Sequence, residues 1–120
     1  MEAEKSKYEL VFLHVVSGTD QIPTATVKLR VDDKNHEAVG IGNGPVHAIF
    51  RAIRKITKKR IKLVRYSVIS MRGGANAKGE IECLFSKNGN IIIGRARGTD
   101  INVASAQAYV DGLNQFERGN

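Results

Sequence analysis

Val39-Gly40-Ile41-Gly42-Asn43-Gly44-Pro45-Val46 has a counterpart 54 positions on (Gly40 to Gly94), the stretch Ile93-Gly94-Arg95-Ala96-Arg97-Gly98-Thr99-Asp100-Ile101. In each copy a short apolar strand runs into two glycines four apart, and an amphipathic helix follows. Two such corners in 120 residues point to a duplicated unit. We therefore expect an α+β fold of two tandem βββα units related by a pseudo-two-fold, with antiparallel sheets and one helix packed on a face of each.

The flanking sequence fits this plan. Tyr8 to Val16 is β-branched and aromatic and reads as a strand apolar on both faces. Ser17 to Pro23 reads as a loop. From Thr24 to Asp32, Ala25, Val27, Leu29 and Val31 alternate with Thr26, Lys28 and Arg30, the mark of a strand with one wet face. After turn chemistry at Asp32 to Asn35, His36 to Ile41 returns as a third strand. Pro45 suits the first turn of a helix, where its missing N–H costs nothing. Val46, Ile49, Phe50, Ile53 and Ile56 form that helix's apolar stripe, opposite His47, Arg51, Arg54, Lys55 and Lys58.

The second half repeats the order. Ile61 to Met71 is a strand, Arg72 to Gly79 a flexible loop, and Glu80 to Ser86 a strand with Ile81, Cys83 and Phe85 facing inward. Asn88-Gly89 is a strong hairpin signal, and Ile91 to Arg95 pairs back. Thr99 or Asp100 can cap a final helix whose stripe is Val103, Ala106, Val110 and Leu113. Its alanines, Ala104, Ala106 and Ala108, permit close approach of a backbone or ligand. The domain reading is a flexible segment 1–7, one domain over 8–116 (units 8–59 and 60–116), and a tail 117–120.

Composition narrows the function. No apolar run nears the roughly 18 residues of a membrane span, and the charged N-terminus is not signal-like. The single cysteine, Cys83, excludes an internal disulfide, fits a reducing cytoplasm and reads as a buried, inert thiol. A net charge of +7 raises nucleic acid, since Arg51, Arg54, Lys55, Lys58, Lys59, Arg60, Lys62 and Arg65 lie in one run. No aromatic residues interleave with them, so we read them as a solvated helix face and its exit loop.

No catalytic or metal constellation survives. His14, His36 and His47 lack ligand spacing with each other or with Cys83, and no nucleophile elbow or phosphate loop occurs. Gly40-x-Gly42-x-Gly44 has the wrong spacing for a dinucleotide loop, and its strand belongs to a hairpin. The corners do offer two helix N-termini, which attract a carboxylate through unpaired N–H groups and the helix dipole. Val46, Ile49, Ile101, Tyr66 and Val68 could line an apolar pocket beside them, as a branched aliphatic amino acid requires. On spacing alone the plainer reading comes first: the glycines permit tight turns and close packing.

Tyr8-Glu9-Leu10, Ser17-Gly18-Thr19, Ala25-Thr26-Val27-Lys28-Leu29, Gly42-Asn43-Gly44-Pro45-Val46, Gly98-Thr99-Asp100-Ile101 and Ala104-Ser105-Ala106-x-Ala108-Tyr109 together change that order. Jointly they resemble the C-terminal regulatory domain of 2-isopropylmalate synthase and of the related citramalate synthases, from about Tyr8 to Asn114. The resemblance implies two βββα units, a homodimer, and feedback binding of leucine or isoleucine. By motif match it implies ligand contacts at Gly42, Asn43, Val46, His47 and Tyr66, and at Ala96, Gly98, Thr99, Asp100 and Ile101. The ligand's carboxylate is expected at a helix N-terminus, its ammonium at backbone carbonyls or Asp100. Arg95 and Arg97 make the second corner more basic than the family pattern.

The family's catalytic barrel, with its divalent metal and acetyl-CoA, does not fit in this length, so the resemblance implies a chain with no cofactor and no acyltransferase activity of its own. Its partners would be the effector amino acid, a second copy, and a synthase domain in cis or trans. The alternatives are a ligand-free dimerisation module of the same family, or a basic nucleic-acid-binding domain.

Overall fold

The computed structural model describes residues 6–59, 61–70 and 78–119. Residues 1–5, Arg60 of the basic run, Met71 with residues 72–77 of the expected loop, and Asn120 of the expected tail lie outside the described residues. The order is β1 (Tyr8–Gly18), β2 (Gln21–Val31), β3 (Lys34–Ile41), α1 (Pro45–Thr57), β4 (Lys62–Ser70), β5 (Gly79–Lys87), β6 (Asn90–Gly98) and α2 (Ile101–Gly119). Strands β1-β2-β3 form one antiparallel sheet and β4-β5-β6 another. This is the expected βββα–βββα arrangement.

Alternation decides which face each sheet turns inward. Ala25, Val27 and Leu29 of β2 are buried, as are Ile81, Cys83 and Phe85 of β5. Burial of Cys83 pushes its thiol up to about 12, so it is not a thiolate at neutral pH. The segment 17–23 is more regular than a loop. A two-residue turn separates β1 from β2, and Pro23 falls within β2. The strand tolerates it because the β1–β2 register shifts between Val16 and Gly18, where a missing N–H breaks no ladder bond.

The repeat is tighter in space than in sequence, and its period differs. The two-residue turns Asp32-Asp33 and Asn88-Gly89, both opening with positive φ at Asp32 and Asn88, lie 56 positions apart (32 to 88). The helix starts, Pro45 and Ile101, show the same separation. The glycine pairing at 54 therefore aligns residues two places out of register. Gly42 corresponds to Gly98 and Gly44 to Asp100. In each first strand a register shift falls at an exposed valine, Val11 in β1 and Val64 in β4.

One buried cluster joins the units. Phe50 of α1 packs on Tyr109 of α2 (ring centroids 4.8 Å apart), and Tyr109 meets Phe85 edge-on at 4.9 Å. Asn114 of α2 clamps the first strand: Tyr8 N–H donates to its Oδ1 and its Nδ2 donates to Tyr8 O, both 2.9 Å. The helix runs past 116 to Gly119, and Glu117 holds Lys59 at 2.9 Å. Ser6 and Lys7 are engaged too, accepting through their carbonyls from Arg30 and from the Asp32 N–H. Among the described residues no helix is long and apolar enough to cross a membrane.

Candidate functional site: two unlike corners

The first corner begins where β3 meets α1. Gly40 is buried, and a Cβ there would lie 2.2 Å from the Ala48 carbonyl oxygen, so only glycine allows this approach. Gly42 N–H donates to the Pro23 carbonyl at 3.1 Å and pins the corner to β2. Gly44 is the N-cap, in extended backbone and with no side chain to cap the helix; no acidic residue lies in the first turn. Ala48 N–H donates to Gly44 O and opens the helical ladder. Asn43 N–H is taken by Nδ1 of His47, at 3.1 Å. Pro45 has no N–H, which leaves the Val46 and His47 amides as the orphan donors of this terminus.

The second corner is built differently. Asp100 is the cap: its Oδ1 accepts the Asn102 and Val103 amides at 2.9 and 3.2 Å. Ala104 N–H donates to its carbonyl. Thr99 is exposed beside it and makes no cap. The positive end of the α2 dipole is thus already faced by a carboxylate. An incoming anion would find free donors at the first corner and a like charge at the second.

Between the corners stands Tyr66 of β4. Its hydroxyl and the Ser105 Oγ of α2 are 2.6 Å apart, and its ring meets Phe50 of α1 edge-on at 5.6 Å. Burial pushes the Tyr66 phenol upward, partly opposed by the Ser105 hydrogen bond. Along the same inner face, Val68 and Ala96 flank Ile81, and Gly98 pairs with Gly79 beneath Ile101. Val68 is 49% and Ile101 36% exposed, so this end of the sheet is an apolar shelf that α2 does not cover.

The structure thus brings Tyr66, Ala96, Gly98 and Ile101 onto one shelf, and Gly42, Asn43, Val46 and His47 around one helix terminus. Phe50, one turn along α1 from Val46 and His47, links the second group to Tyr66. Among the described residues no hydrogen bond joins one corner directly to the other. Sequence reasoning passed over Phe50 and Ser105 as site residues. The available signal was Ser105 standing between Ala104 and Ala106 on an alanine-rich helix, where a hydroxyl, if buried, needs a partner. No group of three or more His, Cys, Asp or Glu side chains among the described residues could hold a metal.

Residues 1–117 match the family model described as "LeuA allosteric (dimerisation) domain". The chain is 44% identical over 113 residues to the 2-isopropylmalate synthase of Syntrophus aciditrophicus, a match covering 94% of this chain and 22% of that protein. The 2-isopropylmalate synthase of Dictyoglomus turgidum is 45% identical over 110 residues (91% and 22%), and that of Heliobacterium modesticaldum 39% over 116 (97% and 23%). The chain spans about a fifth of the length of these curated relatives. With 117 of 120 residues matched by that model, and relatives 39–45% identical over more than nine-tenths of the chain, the chain belongs to the LeuA allosteric (dimerisation) domain family.

Proposed function

We propose that this chain is the effector-sensing, dimer-forming part of a 2-isopropylmalate or citramalate synthase and binds a branched-chain amino acid, leucine ahead of isoleucine. The observation that carries the reading is the uncapped terminus at Gly44–His47 joined through Phe50 and Tyr66 to an exposed apolar shelf. The effector's carboxylate would take the Val46 and His47 amides, and its side chain would lie toward Tyr66, Val68, Ala96 and Ile101. The capped second corner, with Gly98, Thr99 and Asp100, would border the ammonium. Burying a leucine-sized side chain supplies roughly 1.5–3 kcal/mol, and charge-assisted hydrogen bonds add to it. That suffices for a coupling of about 1–3 kcal/mol to an attached synthase, provided the ligand prefers one of two states.

The dimer reading rests on separate residues. Phe12, Val16, Val39 and Ile41 share the outer face of the first sheet at 37–52% exposure. A β1 apolar on both faces has only one of them covered within this chain. A second copy would bury the other. The chain itself would carry out no acyl transfer, hold no cofactor and work in the cytoplasm.

A ligand-free dimerisation module is the second reading, favoured by the self-capped Asp100 corner. Thermal shift and calorimetry with leucine, isoleucine and valine separate the two. Saturable binding supports the effector reading; dimers in sedimentation with no response at millimolar ligand support the structural one.

A further inference from the structure

Two cations of the basic run are engaged within the fold. Lys55 donates to the Val39 carbonyl at 2.7 Å and Lys59 pairs with Glu117. Arg51, Arg54 and Lys62, with Lys87 from the end of β5, line a cleft of about 640 Å³ between α1 of the first unit and β4–β5 of the second. That volume falls in the usual small-molecule range of roughly 300–1,000 Å³. Among the described residues no carboxylate lines it and none of the four cations is in an ion pair; Arg51 Nη1 lies 3.5 Å from the Ile41 carbonyl, and Lys87 Nζ 5.8 Å from the Phe116 ring centroid. Phe50 and Tyr109 close its inner end.

The duplication supplies an internal control. The corresponding cleft between α2 and β1 is about 360 Å³ and is lined by Glu9, Arg95, Gln107, Val110, Asp111 and Asn114, among others. Moving 56 positions along the helix, Arg51 becomes Gln107 and Arg54 becomes Val110; moving 53 back along the first strand, Lys62 becomes Glu9. The same architecture therefore stands without these cations. Four positive charges around one concavity, with no carboxylate partner among the described residues, are a cost that the fold does not require.

We propose that this cleft is a binding site for a compact multivalent anion, phosphate- or carboxylate-bearing, held by Arg51, Arg54, Lys62 and Lys87. Guanidinium forks match both oxyanion types in bidentate geometry. The compact size of the cleft and the engagement of Lys55 and Lys59 elsewhere favour a small molecule over an extended nucleic acid. The site adjoins the proposed effector corner through His47 but does not depend on that reading.

The test is titration of the chain with pyrophosphate, ATP and citrate at low salt, followed by calorimetry and thermal shift. The variant R51Q/K62E carries the opposite cleft's own side chains at exposed positions. Saturable, salt-sensitive binding that the variant weakens about tenfold or more, with its melting temperature retained, is expected. Preference among the three anions identifies phosphate or carboxylate as the natural group. Equal binding by the variant, or no saturation at about 10 mM of any of the three, overturns the proposal. So does tighter binding of a single-stranded oligonucleotide that displaces pyrophosphate. An unchanged leucine response in the variant keeps this result separate from the effector reading.

Discussion

Substituting Gly40 or Gly94 by alanine tests how closely the helices lie on their sheets. A Cβ at Gly40 would sit 2.2 Å from Ala48 O and 2.6 Å from Ala52 N; at Gly94 it would sit 2.2 Å from Ala108 O and 2.6 Å from Gly112 N. Ordinary carbon contacts need roughly 3.5 Å or more, so either helix must move outward by over about 1 Å. The obstructing atoms are helix backbone and cannot rotate away. Lifting α1 would loosen Ile49 and Ile53, and lifting α2 would loosen Val110 and Leu113, all buried. Overpacking ordinarily costs about 1–3 kcal/mol; the expectation here is the top of that range or above, for each variant. Against a total stability of about 5–15 kcal/mol this is large. Urea unfolding followed by circular dichroism reads it as a lowered midpoint at unchanged slope. Gly44→Ala is the control, because a Cβ there meets nothing within 4 Å, and its cost should stay near 1 kcal/mol or below. If Gly40→Ala matched the wild type within about 0.5 kcal/mol, the close-approach account would fail.

Two further perturbations probe the joints between units. Tyr66→Phe removes the one side-chain hydrogen bond that the fully buried Ser105 hydroxyl makes among the described residues and should cost about 1–2 kcal/mol. A double-mutant cycle with Ser105→Ala should return about 1 kcal/mol of coupling, and strict additivity would refute the contact. Glu117 is held below the ordinary carboxylate range, first by the Lys59 hydrogen bond, against some desolvation, with Lys7 and Tyr8 also contributing. A depressed carboxylate stabilises the fold above its unfolded pKa and loses that contribution as pH falls through its folded value. Its side chain is 30% exposed, so Glu117→Gln should cost only about 0.5 kcal/mol at pH 7. The gap should close toward pH 3; a gap that widens on acidification would contradict the assignment.

The fold was legible because local signals agreed: strict alternation in β2 and β5, Asn88-Gly89 at a turn, Pro45 at a helix start. Gly40 and Gly94 were legible as close-approach positions, yet matching them to each other misplaced the repeat by two residues. Each glycine marks where its own helix comes nearest. Gly40 pairs with Ala25, whereas Gly94 pairs with Cys83, the counterpart of Val27. The corners looked alike in sequence because a glycine cap and an aspartate cap both start helices. Their opposite electrostatics show only when the hydrogen bonds of Asp100 are placed. Tyr66 was singled out by motif alone; its hold on Ser105 and Phe50 depends on packing across 39 and 16 residues of chain (66 to 105, 50 to 66).

The central claim is that the uncapped corner of α1 receives the carboxylate of a branched-chain amino acid. Gly44→Asp places at that corner the residue that the second unit carries at its matching position, Asp100, and so fills the orphan donors from within. Calorimetric titration of leucine into the wild type and this variant is the direct measurement. The account predicts saturable binding by the wild type, loss of binding in Gly44→Asp, and stability equal to or a few tenths of a kcal/mol above the wild type. Undiminished leucine binding by the variant, or no heat with leucine, isoleucine or valine in the wild type, would contradict it.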